Sequence, residues 1–331
     1  MRILAGDVGG TKTVLAVFES EAGKLIPVFQ KRFDSRNYPG LEPIITEFLA
    51  RNPKPASRAC FGVAGPVVGG RSETPNLPWV LDERALASQL GINAVSLIND
   101  LEATAYGLFT LEEKEVFVLH EGLKVAEANI GLIAAGTGLG ESILFWDGRY
   151  HRPSASEGGH ADFAPRTARE IDLLRYLIPR FGHVSYERVL SGPGLVNIYQ
   201  FLKDEAGFSE PEWLAERITA EDPGAVISEV ALAGEAEICV QALDLFASVY
   251  GAEAGNLALR AKALGGIYIG GGIAPKILKK LKDGTFMRSF LDKGRYSEFV
   301  STIPVKVVLN EQAALQGAAY YGACEDLRPR T

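Results

Sequence analysis

The sequence predicts an α/β protein of two lobes around a central cleft, each lobe built on a β-β-β-α-β-α order. Three observations lead there. Short β-rich runs alternate with amphipathic helical ones, the order of the first half recurs in the second with larger insertions, and in each half a glycine-rich turn separates the first two strands. With 331 residues, 47% of them hydrophobic, the chain can fill two cores. No linker or low-complexity stretch divides it. The expected division is a small lobe over residues 1–110, completed by a C-terminal helix at 311–324, and a large lobe over 111–310.

RILAG (2–6), TVLAVFE (13–19) and LIPVFQKRF (25–33) are β-rich runs joined by Gly-containing turns, the pattern of an antiparallel meander. LEPIITEFLARN then places Leu41, Ile44, Ile45, Phe48 and Leu49 on one helical face, and Asn52-Pro53 stops the helix. SRACFGVAG (57–65) reads as a strand, DERALASQL (82–90) as a short helix, AVSLIND (94–100) as a strand and Leu101 to Leu108 as a helix. In the second half NIGLIAAG (129–136) and ESILFW (141–146) pair around another glycine turn, and Arg149 to Arg152 offers a third strand. REIDLLRYLIPRF is helical, as is the Ala-rich stretch from about Leu232 to Leu264. GGIYIGGG (265–272) is a strand running into a turn, APKILKKLKD a helix, PVKVVLN (304–310) a strand and EQAALQGAAYYGA (311–323) the closing helix.

Lys and Arg number 34 against 41 Asp and Glu, a net charge of −7. That balance argues against nucleic acid or an anionic membrane as the main partner, yet leaves room for nucleotide phosphates held by backbone N–H groups and Mg²⁺. Cys60, Cys239 and Cys324 are odd in number and far apart, so neither a disulfide framework nor a structural zinc site is expected, and buried reduced thiols are. The chain opens on a strand-like run with no signal-peptide pattern, and no apolar stretch approaches the ~20 residues of a membrane span. A cytoplasmic protein is expected.

The first glycine turn, GDVGGTKT (6–13), nearly matches the Walker phosphate loop, but Thr11 stands where its second Gly belongs and a β-run follows where that loop requires a helix. A strand–turn–strand hairpin that offers N–H groups to phosphate fits better, with hydroxyls from Thr11 and Thr13 and with Asp7 acting through water on a nucleotide-bound Mg²⁺. An ordinary hairpin turn is the plain alternative. The second turn, AAGTGLGES (134–142), sets Gly136, Thr137, Gly138 and Gly140 between two strands, whereas a dinucleotide fingerprint would open a helix. Two such hairpins at matching places suggest a polyphosphate clasped between lobes. Gly270, Gly271 and Gly272 allow either the close approach of adenine and ribose or tight helix–strand packing.

Asn99 and Asp100 end a strand, where a carboxylate can take a proton from a substrate hydroxyl and an amide can bind another. Asp100 as a mere helix cap is the alternative. SEGGHADF supplies Glu157 and His160 around two glycines, and Glu187 either joins them or is a solvated helix residue. His183 alone adds too little for zinc, and Asn, Asp, Glu and His without metal ligands suit a polyol, whose hydroxyls each donate and accept.

These segments resemble the bacterial glucokinase family: GDVGGT, LIND-LEA, GTGLGE, EGGHADFAP, HVSYERVLSGPGLVN and DKGRYSEFV carry the likeness along essentially the whole chain. The resemblance implies two lobes of ribonuclease-H-like topology, as in the hexokinase–actin–heat-shock ATPase superfamily. It also implies transfer of the ATP γ-phosphoryl group to the 6-hydroxyl of glucose with Mg²⁺, the entry step of glycolysis, in a homodimer. Asp100 would be the general base, and Asn99, Glu157, His160 and Glu187 would bind the other hydroxyls. Gly6, Asp7, Val8, Gly9, Gly10 and Thr11 would hold ATP with Gly136, Thr137 and Gly138. Asn76, in ETPNLPW, is similar to a sugar-contacting segment of related kinases. A related repressor-and-kinase family carries a Cys-rich zinc motif after E-G-G-H, and here no Cys lies between Cys60 and Cys239. That points to the zinc-free, ATP-dependent group. A kinase for another hexose, a nucleotide-switched ATPase or a non-catalytic sugar sensor are the competing functions.

Overall fold

The computed structural model describes all residues except 22–23, 52–53, 75–76, 93, 124 and 325–331. The Asn52-Pro53 helix stop and Asn76 lie outside the described residues. The chain forms two compact units. One comprises Met1–Glu113, Arg152–Ala155 and Asn310–Thr331, the other Lys114–His151 and Ser156–Leu309.

In the first unit β1 (Arg2–Val8), β2 (Lys12–Glu21) and β3 (Lys24–Asp34) form the meander, followed by α1 (Leu41–Arg51) and β4 (Arg58–Val63). A short hairpin, β5 (Arg71–Glu73) with β6 (Val80–Asp82), precedes α2 (Glu83–Leu90), β7 (Val95–Asn99) and α3 (Asp100–Gly107). The sheet order is β3-β2-β1-β4-β7, with β4 parallel to both neighbours. Helix α1 buries Leu41, Ile44, Ile45 and Phe48 completely and packs Leu49 at the edge of the core, as its period requires. Each such side chain contributes about 1.5–3 kcal/mol of burial. Asp82 caps α2, accepting from the N–H groups of Arg84 at 2.9 Å and Ala85 at 3.0 Å.

In the second unit β8 (Val116–His120), β9 (Ile130–Ala135) and β10 (Leu139–Trp146), followed by β11 (His151–Ser156), whose central residues count with the first unit, precede a helical block. That block comprises α4 (Ala168–Phe181), α5 (Gly192–Asp204), α6 (Glu212–Ala220), α7 (Pro223–Ala233) and α8 (Glu237–Ala261). Then come β12 (Gly266–Gly270), α9 (Leu278–Leu281), α10 (Thr285–Leu291), α11 (Ser297–Ser301) and β13 (Val305–Val308). The order β11-β10-β9-β12-β13-β8 repeats the first unit's arrangement and adds β8 at its edge.

The closing helix, α12 (Ala313–Ala323), packs on α3 within the first unit. A Cβ at Gly317 would stand 1.8 Å from the Ala103 carbonyl oxygen, and one at Gly107 2.0 Å from that of Ala313. The two backbones nearly touch, which fixes the helix that begins at Asp100.

Several expected boundaries move. The Ala-rich stretch is one long helix, α8, but it starts at Glu237 and not near Leu232, because Gly234 ends α7 there with φ +74°. APKILKKLKD keeps only the single turn of α9, and the third strand of the second meander starts at His151 instead of Arg149. Cys60 and Cys239 are buried, whereas Cys324 is half-buried.

Candidate active site

In the first unit the register aligns Val8 with Val63 and Val63 with Asn99, so β1, β4 and β7 end at one edge of the sheet. Ligands of open α/β sheets bind at such carboxyl ends. Asp7 stands near the end of β1 and Asp100 follows β7, with Gly62 of β4 between their strands. A Cβ on Gly62 would lie 2.8 Å from the Ala103 Cβ, so its absence lets β4 and the first turn of α3, which carries Asp100, pack closely.

Burial raises the Asp100 carboxyl to about 6; the Leu101 N–H opposes the shift and the nearby Asp7 charge adds to it. Burial also raises Asp7, against the pull of the Lys12 cation. The helix cap falls on Asn99, not on Asp100. Its Oδ1 accepts from the N–H of Leu101 at 2.9 Å and of Glu102 at 3.3 Å, and its Nδ2 donates to the Gly65 carbonyl at 3.0 Å. The Asn99 amide also hydrogen-bonds the Asp100 carboxyl group, so one side chain ties together the helix cap, the Gly65 carbonyl and Asp100.

The first glycine turn is shorter than expected. Gly6, Asp7 and Val8 belong to β1, with the Val8 side chain in the core, and only Gly9, Gly10 and Thr11 form the turn. Neither glycine has positive φ. Ser35 clamps the turn: its hydroxyl donates to the Gly9 carbonyl at 2.7 Å and its N–H to that of Thr11 at 3.0 Å. Thr13, expected to offer a hydroxyl to phosphate, is fully buried with its Oγ1 on Ser35 at 3.0 Å.

In the second unit the turn is Gly136, Thr137 and Gly138; Gly140 lies in β10, paired with Ala134. The Gly136 N–H bonds the Gly138 carbonyl at 2.8 Å, and the N–H of Gly192, at the start of α5, bonds the Gly136 carbonyl at 2.9 Å. A Cβ on Gly136 would meet nothing within 4 Å. Gly271, after β12, adopts φ +82° against the Ala135 backbone, where a Cβ would stand 2.2 Å from a carbonyl oxygen. Of the two readings for that segment, Gly271 takes the packing one, while Gly272 faces open space.

The turns carrying Glu157, His160 and Glu187 meet at Leu139. A Cβ on Gly159 would lie 2.0 Å from the Leu139 carbonyl oxygen, and the Leu139 N–H donates to Glu187 Oε2 at 2.9 Å. A Cβ on Gly138 would be 2.5 Å from that same Oε2. The Tyr186 N–H bonds the Ala161 carbonyl at 3.0 Å, and the Phe163 N–H bonds that of Val184 at 2.9 Å, tying the two turns together. His183 anchors them as well, its Nε2–H donating to the His160 carbonyl at 3.0 Å. The His160 ring is 3.9 Å from Glu157 and 4.0 Å from Glu187, close enough for attraction and too far for a hydrogen bond. Glu187 is therefore no solvated helix residue. Sequence reasoning missed Ser35 and also Ser191, which caps α5 and bonds the Glu187 carbonyl at 2.7 Å. The Ser-Gly-Pro-Gly run at 191–194 carries a helix-start signal that could have revealed it.

The glucokinase family model matches residues 4–324. The chain is 44% identical to a glucokinase of Nostoc sp., over 97% of this chain and 98% of that one, and 42% identical to one of Synechocystis sp., over 98% of each. The crystal structure of a glucokinase from an Antarctic psychrotroph superposes with a TM-score of 0.85 at 31% identity, covering 97% of this chain and 98% of that one. A Balamuthia mandrillaris glucokinase solved with glucose gives 0.81 at 22% identity, over 98% and 94%, a likeness of fold alone.

Proposed function

The chain belongs to the glucokinase family, and from that premise we propose that it transfers the γ-phosphoryl group of ATP to the 6-hydroxyl of glucose. One observation carries the reading beyond membership: Leu139 joins a phosphate-type glycine turn to a metal-free cluster of acids and a histidine suited to a polyol.

Glu157, His160 and Glu187 bind sugar hydroxyls, with Asn99 and, by its resemblance to related kinases, Asn76. Gly136, Thr137 and Gly138 offer backbone N–H and hydroxyl groups to the phosphates, as do Gly9, Gly10 and Thr11. Gly272 leaves room for the nucleoside, while Gly6, Val8 and Gly271 support the turns through their backbones. Asp100 accepts the proton of the 6-hydroxyl. A carboxyl held at about 6 is ionised at neutral pH yet far more basic than an exposed aspartate, which suits a general base.

Asp7 fits a hydrated Mg²⁺, since a nearby cation would offset the burial that raises its carboxyl group, as Lys12 does in part. It would hold that ion through water, and the ion's chemistry is to neutralise charge on the transferring phosphoryl group. Phosphoryl transfer has a loose transition state, so the residues mainly position the reactants, a contribution of up to about 7–11 kcal/mol. A homodimeric, cytosolic enzyme is the form that family membership supports. No helix among the described residues is long and apolar enough to cross a membrane.

A coupled assay for hexose 6-phosphate, run with ATP and a panel of glucose, mannose, fructose and N-acetylglucosamine, tests the reading. Glucose should give the highest kcat/KM. Sugar-independent ATP hydrolysis, or preference for another hexose, would refute it.

A further inference from the structure

Beneath the Glu157–His160 turn lies a charged network that the proposed chemistry does not use. Glu141 on β10 and Glu253 on α8 are 2% and 0% exposed. Arg260, two helical turns beyond Glu253, donates through Nη2 to Glu141 Oε2 at 2.9 Å and also to Glu253 Oε1. Asn256 Nδ2 donates to Glu253 Oε2 at 2.9 Å and to the Tyr186 hydroxyl at 3.2 Å. Lys293, from the DKGRYSEFV segment, donates to Asn256 Oδ1 and to the Ala252 carbonyl, each at 2.8 Å.

The network touches both turns assigned to the sugar. A Cβ on Gly158 would stand 2.6 Å from Glu141 Oε2, so the backbone between Glu157 and His160 rests on that carboxyl group. Tyr186, reached through Asn256, immediately precedes Glu187. Glu141 Oε1 is buried without a hydrogen-bond partner. A buried polar atom left unsatisfied is costly to keep, so it calls for an explanation.

We propose that Glu141, held by Arg260 and Glu253, is a positioning residue for the sugar: it sets the Glu157–His160 turn and, through Asn256 and Tyr186, the Glu187 turn. This rests on the hexose-kinase reading above and adds a part of the machinery that touches no substrate. The Arg260 guanidinium bonds both buried carboxyl groups, Lys293 lies on the Glu253 side through Asn256, and Glu141 is the carboxyl group that holds a proton. Burial and the neighbouring Glu253 carboxylate push Glu141 up to about 8, against the Arg260 cation. Once that proton leaves, two carboxylates share one cation under Gly158, and their repulsion disturbs the turn above.

The ionisable groups that act on Glu141 are Glu253 and Arg260 from α8, with Tyr250 of the same helix beside them, while Tyr186 from the second turn and Lys293 after α10 act on Glu253 and Arg260. Burial lowers Lys293 to about 8 as well, so it titrates in the same range. The test separates the two.

Steady-state kinetics of the full chain with glucose and ATP are measured from pH 6.5 to 9.5 for wild type, Glu141→Gln and Glu141→Ala. In the wild type KM for glucose should rise about tenfold from neutral to alkaline pH, while KM for ATP moves less than about twofold. Glu141→Gln keeps shape and neutrality and should hold the low glucose KM across the whole range. Glu141→Ala should raise glucose KM about tenfold or more at every pH. An alkaline rise that persists in Glu141→Gln would assign the titration to Lys293 and overturn the proposal. So would a glucose KM unmoved in Glu141→Ala, or equal shifts in both KM values. A wild type that forms no glucose 6-phosphate would instead overturn the hexose-kinase reading and this inference with it.

Discussion

Gly159→Ala tests the junction at Leu139. The added methyl carbon would stand 2.0 Å from the Leu139 carbonyl oxygen, which is backbone and cannot rotate aside. Carbon and oxygen approach to about 3.3 Å, so turn and strand must separate by about 1.3 Å. That movement carries Glu157 and His160 away from Glu187, whose position is fixed by the Leu139 N–H. A misplacement of about 1 Å among positioning groups costs on the order of 10²-fold in rate. The coupled assay should show kcat/KM for glucose falling about 10²-fold, mainly through KM, because the Gly136–Gly138 turn keeps its own bond to Gly192. Thermal unfolding run in parallel should show a folded protein. A folded variant with kcat/KM within about threefold of wild type would refute the reasoning that this contact sets the sugar site.

Gly136→Ala reverses that logic: its Cβ meets no protein atom within 4 Å, so stability should hold while KM for ATP rises, which titration of ATP checks. The acid limb of the kcat/KM profile should fall with unit slope below about pH 6, because Asp100 takes up its proton as pH drops through its raised value. Asp82→Ala removes the acceptor for two N–H groups at the start of α2 and should cost about 1 kcal/mol in urea unfolding, with kcat unchanged.

What the sequence revealed is what depends on local periodicity. The face of α1 was legible because Leu41, Ile44, Ile45 and Phe48 recur at helical spacing, and all four are buried. The polar pair after β7 was legible as well, but not which member caps α3, since Asn99 and Asp100 both suit a helix start and the register with Val63 decides. Turn limits were misread for the same reason: Gly140 looks like turn chemistry and becomes strand because Ala134 pairs with it. Ser35 reaches Gly9 across 26 residues, a contact that no local pattern announces. Glu253 and Arg260 read as ordinary helix charges, and only the reach of the half-exposed Arg260 to Glu141 of β10 joins them to a pair of buried carboxyl groups. Local sequence carries period and capping chemistry; it does not carry the long-range contacts that decide which charged groups leave water.

The central claim, that Asp100 is the base in phosphoryl transfer to glucose, meets its most direct test in the Asp100→Asn variant. Glucose 6-phosphate formation by the purified protein should fall about 10²–10⁴-fold in kcat, with glucose binding, followed by intrinsic fluorescence, within a few-fold of wild type. Near-normal turnover in a folded Asp100→Asn protein that still binds glucose would contradict the account.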